Sequence, residues 1–254
     1  MRVFMELSFC GTRFHGWQIQ PGEPSVQEAL ETALARVLRV PTPVTGAGRT
    51  DAGVHARCMT AHADIPDGTD LAKLHNALHA LTGPDIAVER IYPVNPDAHA
   101  RFDASLRTYR YYVTHTKSPF FREMSWYVHH PFDYEAMNEA ASMLLSIRDF
   151  TSFSKLHTDA KTNLCRVEHA QWHRAEGDFE PGEWYFEISA DRFLRNMVRA
   201  IVGTLAEVGR GKMTAAGFRE VIDAMDRCAA GSSAPARGLY LWHVAYPNDF
   251  SGGE

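Results

Sequence analysis

The segment Gly46–Ala56 sets a single carboxylate, Asp51, among glycines and alanines, with a cation two residues before it at Arg49. Glycine opens backbone conformations closed to other residues and removes the bulk that would keep a ligand away. A carboxylate beside a guanidinium stays ionised, because a nearby positive charge favours the charged form. Such a group can act as a nucleophile or as a base without metal or cofactor. The plainer reading is a glycine-rich turn with a turn-forming aspartate. Two nucleotide motifs are excluded: Asp51 stands where the dinucleotide fingerprint needs its third glycine, and the phosphate loop's Lys-Ser or Lys-Thr pair is absent.

Two further places could do chemistry. Arg107–Tyr112 offers three tyrosines, Tyr109, Tyr111 and Tyr112, to stack on a planar ligand, although a strand tyrosine is usually core. On a helix starting at Arg192, the cations Arg192, Arg195 and Arg199 fall in one stripe beside the apolar Leu194, Val198, Ile201 and Leu205. A cation there can reach a carboxylate in a cleft, or it can belong to a solvated basic face. The residues alone leave both open.

Helices and strands must position these groups. Arg2–Ser8 alternates as a strand, and Ser25-Val-Gln-Glu28 is a capping box opening a helix that Pro41 stops. Ala56–Asp64 reads as a strand, Asp70 caps a second helix ending at Gly83-Pro84, and Ile86–Val94 with Ala98–Phe102 completes a strand-rich half. Leu106–His115 opens the second half, with Tyr109, Tyr111 and Val113 on one face and Arg110 and Tyr112 on the other. A helix over about 133–146, strands near Thr162–His173 and Glu183–Ala190, helices at Arg192–Val208 and Thr214–Cys228, and a strand at Leu239–Tyr246 follow. The tail after Asn248 reads as disordered. The expected fold class is α/β (α+β): two similar halves, 1–104 and 105–249, each a mainly antiparallel sheet with helices on one face, and a short tail over 250–254.

A chain of 254 residues, 45% hydrophobic, can bury a proper core as one large domain or two small ones. No leader and no membrane-length apolar run is visible, so a soluble, cytoplasmic protein is expected. Cys10, Cys58, Cys165 and Cys228 are widely spaced, and His55 with Cys58 lacks a second pair, so neither disulfides nor a metal site are expected. The net charge of −5 weighs mildly against nucleic acid, but basic residues gather at Arg101, Arg107 and Arg110 and again from Arg192 to Lys212. An acidic back with a basic cleft suits RNA.

The Asp51 segment resembles the catalytic signature of the tRNA pseudouridine synthase A family. Phe14–Gln20, Arg107–Tyr112, Asp149–Phe153, Phe193–Arg199 with Ile201–Thr204, and Ala234–Leu241 resemble family blocks in family order, so the likeness spans nearly the whole chain. The resemblance implies a cofactor-free isomerase converting uridine to pseudouridine in the tRNA anticodon stem-loop, at positions 38–40, and working as a homodimer. It makes Asp51 the catalytic carboxylate in a cleft between the halves, with Arg49 filling the space of the extruded base. It sets Tyr109 in the pocket, Arg199 against the aspartate, and Leu241 as apolar packing near the uracil. His15, Trp17 and Gln18 are implied as RNA-facing. Cys10, Asn196 and Ala200 depart from the commoner Asp, His and Asn, which bears on RNA contacts. The alternatives are a non-catalytic tRNA-binding protein of the same fold, which would be free to lose Asp51 or Arg199, and a glycosidase, which would want a second carboxylate paired with Asp51.

Overall fold

The computed structural model describes residues 1–155, 162–177 and 180–247. In chain order its main elements are β1 (Arg2–Phe9), α1 (Val26–Leu38), β2 (Val44–Gly46), β3 (His55–Asp64), α2 (Leu71–Leu81), β4 (Ile86–Pro93), β5 (Leu106–Thr114), β6 (Trp126–Tyr127), α3 (Tyr134–Ser142), β7 (Val167–Arg174), β8 (Trp184–Ala190), α4 (Met197–Gly209), α5 (Ala215–Asp223) and β9 (Leu239–Ala245). This is the mixed, mainly antiparallel α/β architecture expected. The chain forms two compact units, one of Met1–Leu106 with the segment from Leu241 onward, the other of Arg107–Tyr240. Most of the final strand thus groups with the first unit.

In the first unit β1 is the middle strand, antiparallel to β3 (Met5 opposite Ala61) and to β4 (Met5 opposite Ile91). Val3, Met5 and Leu7 are fully buried on one face, as their alternation requires. Phe4, on the other face, is buried too, packed with Ala98, Ala100, Tyr92 and Tyr246. Ser25 caps α1 by accepting the Glu28 N–H at 3.2 Å, and Leu30 and Leu34 follow on its buried side. Asp70 caps α2 by accepting from Lys73 N at 3.0 Å. Ala98–Phe102 is a turn rather than the expected strand, because side chains take its N–H groups: His99 Nδ1 accepts from Arg101 and Phe102, and Asp103 accepts from His99.

In the second unit β8 lies between β5 and β7, with Tyr109 opposite Ile188 and Trp172 opposite Phe186. Tyr109, Tyr111 and Val113 share one buried face as expected; on the other, Tyr112 is fully buried too, and Arg110 pairs with Glu187 at 2.7 Å and stands over Tyr185. The two-residue strand β6, parallel to the end of β5, had no signal in the sequence. The strand expected over Thr162–His173 is regular only from Val167, and part of the preceding segment lies outside the described residues.

Two helices are shorter than their patterns. Helix α4 starts at Met197, not Arg192, because Asp191 Oδ1 accepts the Arg192 N–H at 2.7 Å and Asn196 turns left-handed at φ 66°. Helix α5 is capped by Thr214 and ends at Asp223, with Met225 at positive φ, five residues before the expected Cys228. The expected disordered tail lies outside the described residues. Among these, no helix is long and apolar enough to cross a membrane.

Candidate active site

Asp51 sits half-buried in the loop from β2 to β3, and both ends of that loop are fixed. At its start, Glu31 Oε1 on α1 accepts from Val44 N at 2.9 Å, and Gln27 Nε2 donates to Val44 O at 3.1 Å. Along its length the segment following β1 grips it through the backbone: Trp17 N donates to Thr50 O at 3.3 Å, and Gly53 N to Phe14 O at 3.2 Å. Two glycines permit this approach. A Cβ on Gly11 would stand 1.9 Å from Val54 O, and one on Gly16, already at φ +90°, 2.2 Å from Thr50 O. Val54 N donates to Asp51 O at 3.1 Å and closes the turn. The carboxylate is therefore presented by a braced backbone, which keeps a reacting group in place without reorganisation.

His55, the first residue of β3, is 2% exposed, and its Nδ1 accepts from Gly11 N at 3.1 Å. A hydrogen bond from His55 also lowers the thiol of Cys10 to about 7, with Thr12 adding to the effect against burial. His55 is a structural part of this loop that pattern reading missed; its position inside the Asp51 motif was the available signal.

The other residues expected here divide. Arg49, His15 and Gln18 are exposed, His15 lying 3.1 Å from Glu23. Trp17, expected to face RNA, is buried. It is 3% exposed, its indole packed onto Gly46 and beside Phe9, because its backbone turns inward to meet Thr50. Leu241 is buried in β9.

The second unit carries the other candidates. Tyr109 is buried in β5, its ring edge-on to Phe193 at 5.0 Å. Nearby, Arg107 Nη1 donates to Asp191 O at 2.8 Å, and the Asp191 carboxylate also accepts from Arg166 N. Every residue of α4 except Arg199 and Glu207 is buried. Arg199 lies in the first turn, where the helix dipole already contributes positive potential and a cation is disfavoured. Its place is fixed by reciprocal bonds with Ala234: Arg199 Nε donates to Ala234 O at 2.8 Å, and Ala234 N donates to Arg199 O at 2.9 Å. The guanidinium is thus held at the positive end of a helix. Arg192 and Arg195 precede the helix, so the expected three-arginine stripe does not form.

A family model described as tRNA pseudouridine synthase matches residues 7–103 and 140–247. The chain belongs to the tRNA pseudouridine synthase family. A Bacteroides thetaiotaomicron protein named tRNA pseudouridine synthase A is 58% identical over 248 residues, covering 98% of this chain and 91% of its own length. The Parabacteroides distasonis protein of that name is 55% identical, covering 98% and 97%. One from Bacillus licheniformis is 39% identical, covering 98% and 100%. The three departures from the commoner family residues have defined places in the structure. Ala200 is fully buried. Asn196 Nδ2 donates to Ser233 Oγ at 2.7 Å, and Arg227 donates to the same oxygen at 3.0 Å. Cys10 is held by His55 and Thr12 as described.

Proposed function

We propose that this chain, an isomerase of the tRNA pseudouridine synthase family, converts uridine to pseudouridine in the anticodon stem-loop of tRNA, at positions 38–40, with Asp51 as the reacting carboxylate. The observation that carries this reading is the doubly braced Asp51 loop, in which the backbone on either side of the half-buried Asp51 is bonded to the segment following β1. In the reaction the bond from uracil N1 to C1′ of the ribose breaks, the detached base turns, and C5 bonds to C1′ while its proton leaves to solvent and N1 takes one up. A positioned carboxylate serves attack on C1′, addition to the ring or proton abstraction alike. The base must first leave its stack, at a cost of a few kcal/mol. Arg49, exposed on the same loop, takes the space it vacates. Tyr109 stacks on the uracil while leaving in-plane rotation open, Leu241 packs near it, and Arg199 supplies positive charge to the carboxylate. His15 and Gln18 face the RNA. A homodimer sharing one tRNA and a cytoplasmic place of work complete the reading, both resting on the family resemblance.

Release of tritium from tRNA labelled at uracil C5 measures the reaction. Asp51→Asn abolishes release while tRNA binding and thermal stability stay close to wild type, since an amide cannot act as nucleophile or base. Residual turnover within tenfold of wild type removes Asp51 from the role.

A further inference from the structure

Phe102 is 75% exposed, yet it is not loose. Its ring lies on that of His99, with centroids 4.2 Å apart, and His99 in turn stands edge-on to His62 at 4.6 Å. His99 Nδ1 accepts from the backbone N–H of both Arg101 and Phe102, at 3.1 and 3.2 Å. The Asp103 carboxylate accepts from His99 N at 2.6 Å. Ala100 is tied twice more, through its N–H to His62 Nδ1 at 3.1 Å and through its carbonyl to Tyr246 Oη at 2.6 Å. Scattered exposed apolar residues are ordinary on a protein surface. A phenyl ring fixed on a turn this heavily bonded is not, because five hydrogen bonds and two packed imidazoles hold apolar surface in water.

The chemistry around the ring selects its ligand. The guanidinium of exposed Arg101 is 5.8 Å from the phenyl centroid, so a flat apolar face and a cation are offered together. Proteins that hold single-stranded nucleic acid use this pairing: an aromatic face for the base and a basic group for the backbone. In sequence Phe102 stands only seven residues before Tyr109, within about 25 Å of it even along a fully extended chain.

We propose that Phe102 is a base-stacking platform that takes an unpaired nucleotide of the tRNA substrate other than the one being isomerised, with Arg101 addressing the adjoining phosphate. This rests on the tRNA reading above. The test uses the full chain and unmodified substrate tRNA, with affinity measured across a salt series, single-turnover tritium release at saturating protein, and sedimentation of the free protein. Phe102→Ala is expected to weaken tRNA binding about tenfold at every salt concentration, since stacking carries no charge, and to leave the salt slope and the rate of bound tRNA unchanged. Phe102→Trp is expected to restore affinity, its new indole emission being quenched by tRNA. The platform is overturned if wild type binds tRNA and Phe102→Ala binds it equally well, or if that variant changes only the sedimentation of the free protein, which would make the ring a contact for a second copy. Wild-type protein that binds tRNA without tritium release defeats the isomerase reading and leaves the platform standing. A wild type that binds no tRNA defeats both.

Discussion

The two units present their chemical groups by opposite means. Asp51 sits on a loop whose own backbone is bonded to a second loop, through Trp17 to Thr50 and Gly53 to Phe14, with glycines letting the two chains touch. Tyr109 and Arg199 project from a regular strand and a regular helix, and what aims them is their neighbours: Phe193 packed against the tyrosine ring, the Ala234 carbonyl accepting from the guanidinium. The loop needs particular residues in particular order. A strand or helix needs only its pattern, and many side chains satisfy that. The first kind of site leaves a mark in the sequence and the second does not.

The comparison breaks hardest at Gly11. In Gly11→Ala the new methyl meets Val54 O, a backbone atom that cannot swing aside. A stability loss of about 1–3 kcal/mol is expected from overpacking, together with a fall in turnover of roughly 100-fold, the order produced by a 1 Å displacement of a reacting group. Thermal unfolding and tritium release move together. A variant that melts earlier but reacts at the wild-type rate would show that the loop's brace is structural only.

Arg199→Ala tests the other means of presentation. The fold should survive, since the side chain is only half-buried, while single-turnover rate falls roughly tenfold to a hundredfold with little change in tRNA affinity. Arg195, exposed and ahead of the helix, should behave oppositely. Its alanine variant weakens binding and flattens the salt dependence by about one unit of slope, with the rate of bound tRNA unchanged. An Arg199 variant that binds poorly but reacts normally once bound would move that residue to the RNA surface.

What the sequence could show follows the same division. Asp51 was legible because Gly and Asp at fixed offsets mean a backbone requirement, and β1, α1 and α2 were legible from alternation and caps. The start of α4 was not, because Val198, Ile201 and Leu205 continue a helical period backward through Leu194 while Asp191 and Asn196 end it locally. Trp17 misled because it sits in a loop motif, and its inward turn depends on the tertiary contacts with Thr50 and Gly46. The turn at Ala98–Phe102 hid behind the β character of its neighbours, and no pattern rule sees one histidine accepting two backbone N–H groups. Side-chain direction decided each of these.

Tyr109 carries the smallest expected effect and the sharpest test of presentation by packing. Tyr109 is 9% exposed and its ring stands edge-on to Phe193, so removing only the hydroxyl leaves that packing and any stacking on a base intact. Tyr109→Phe should therefore stay within about threefold of wild type, as befits a group worth about 1 kcal/mol or less. Tyr109→Leu keeps apolar bulk but loses the flat face, and should slow single turnover roughly tenfold, within the range of a lost base–aromatic contact. Stability separates the outcomes. If the leucine variant loses melting temperature while bound tRNA reacts normally, the ring is core, and the pocket role passes to another group. If it keeps its melting temperature and loses rate, the strand has been packed so as to show one of its three tyrosines to the base.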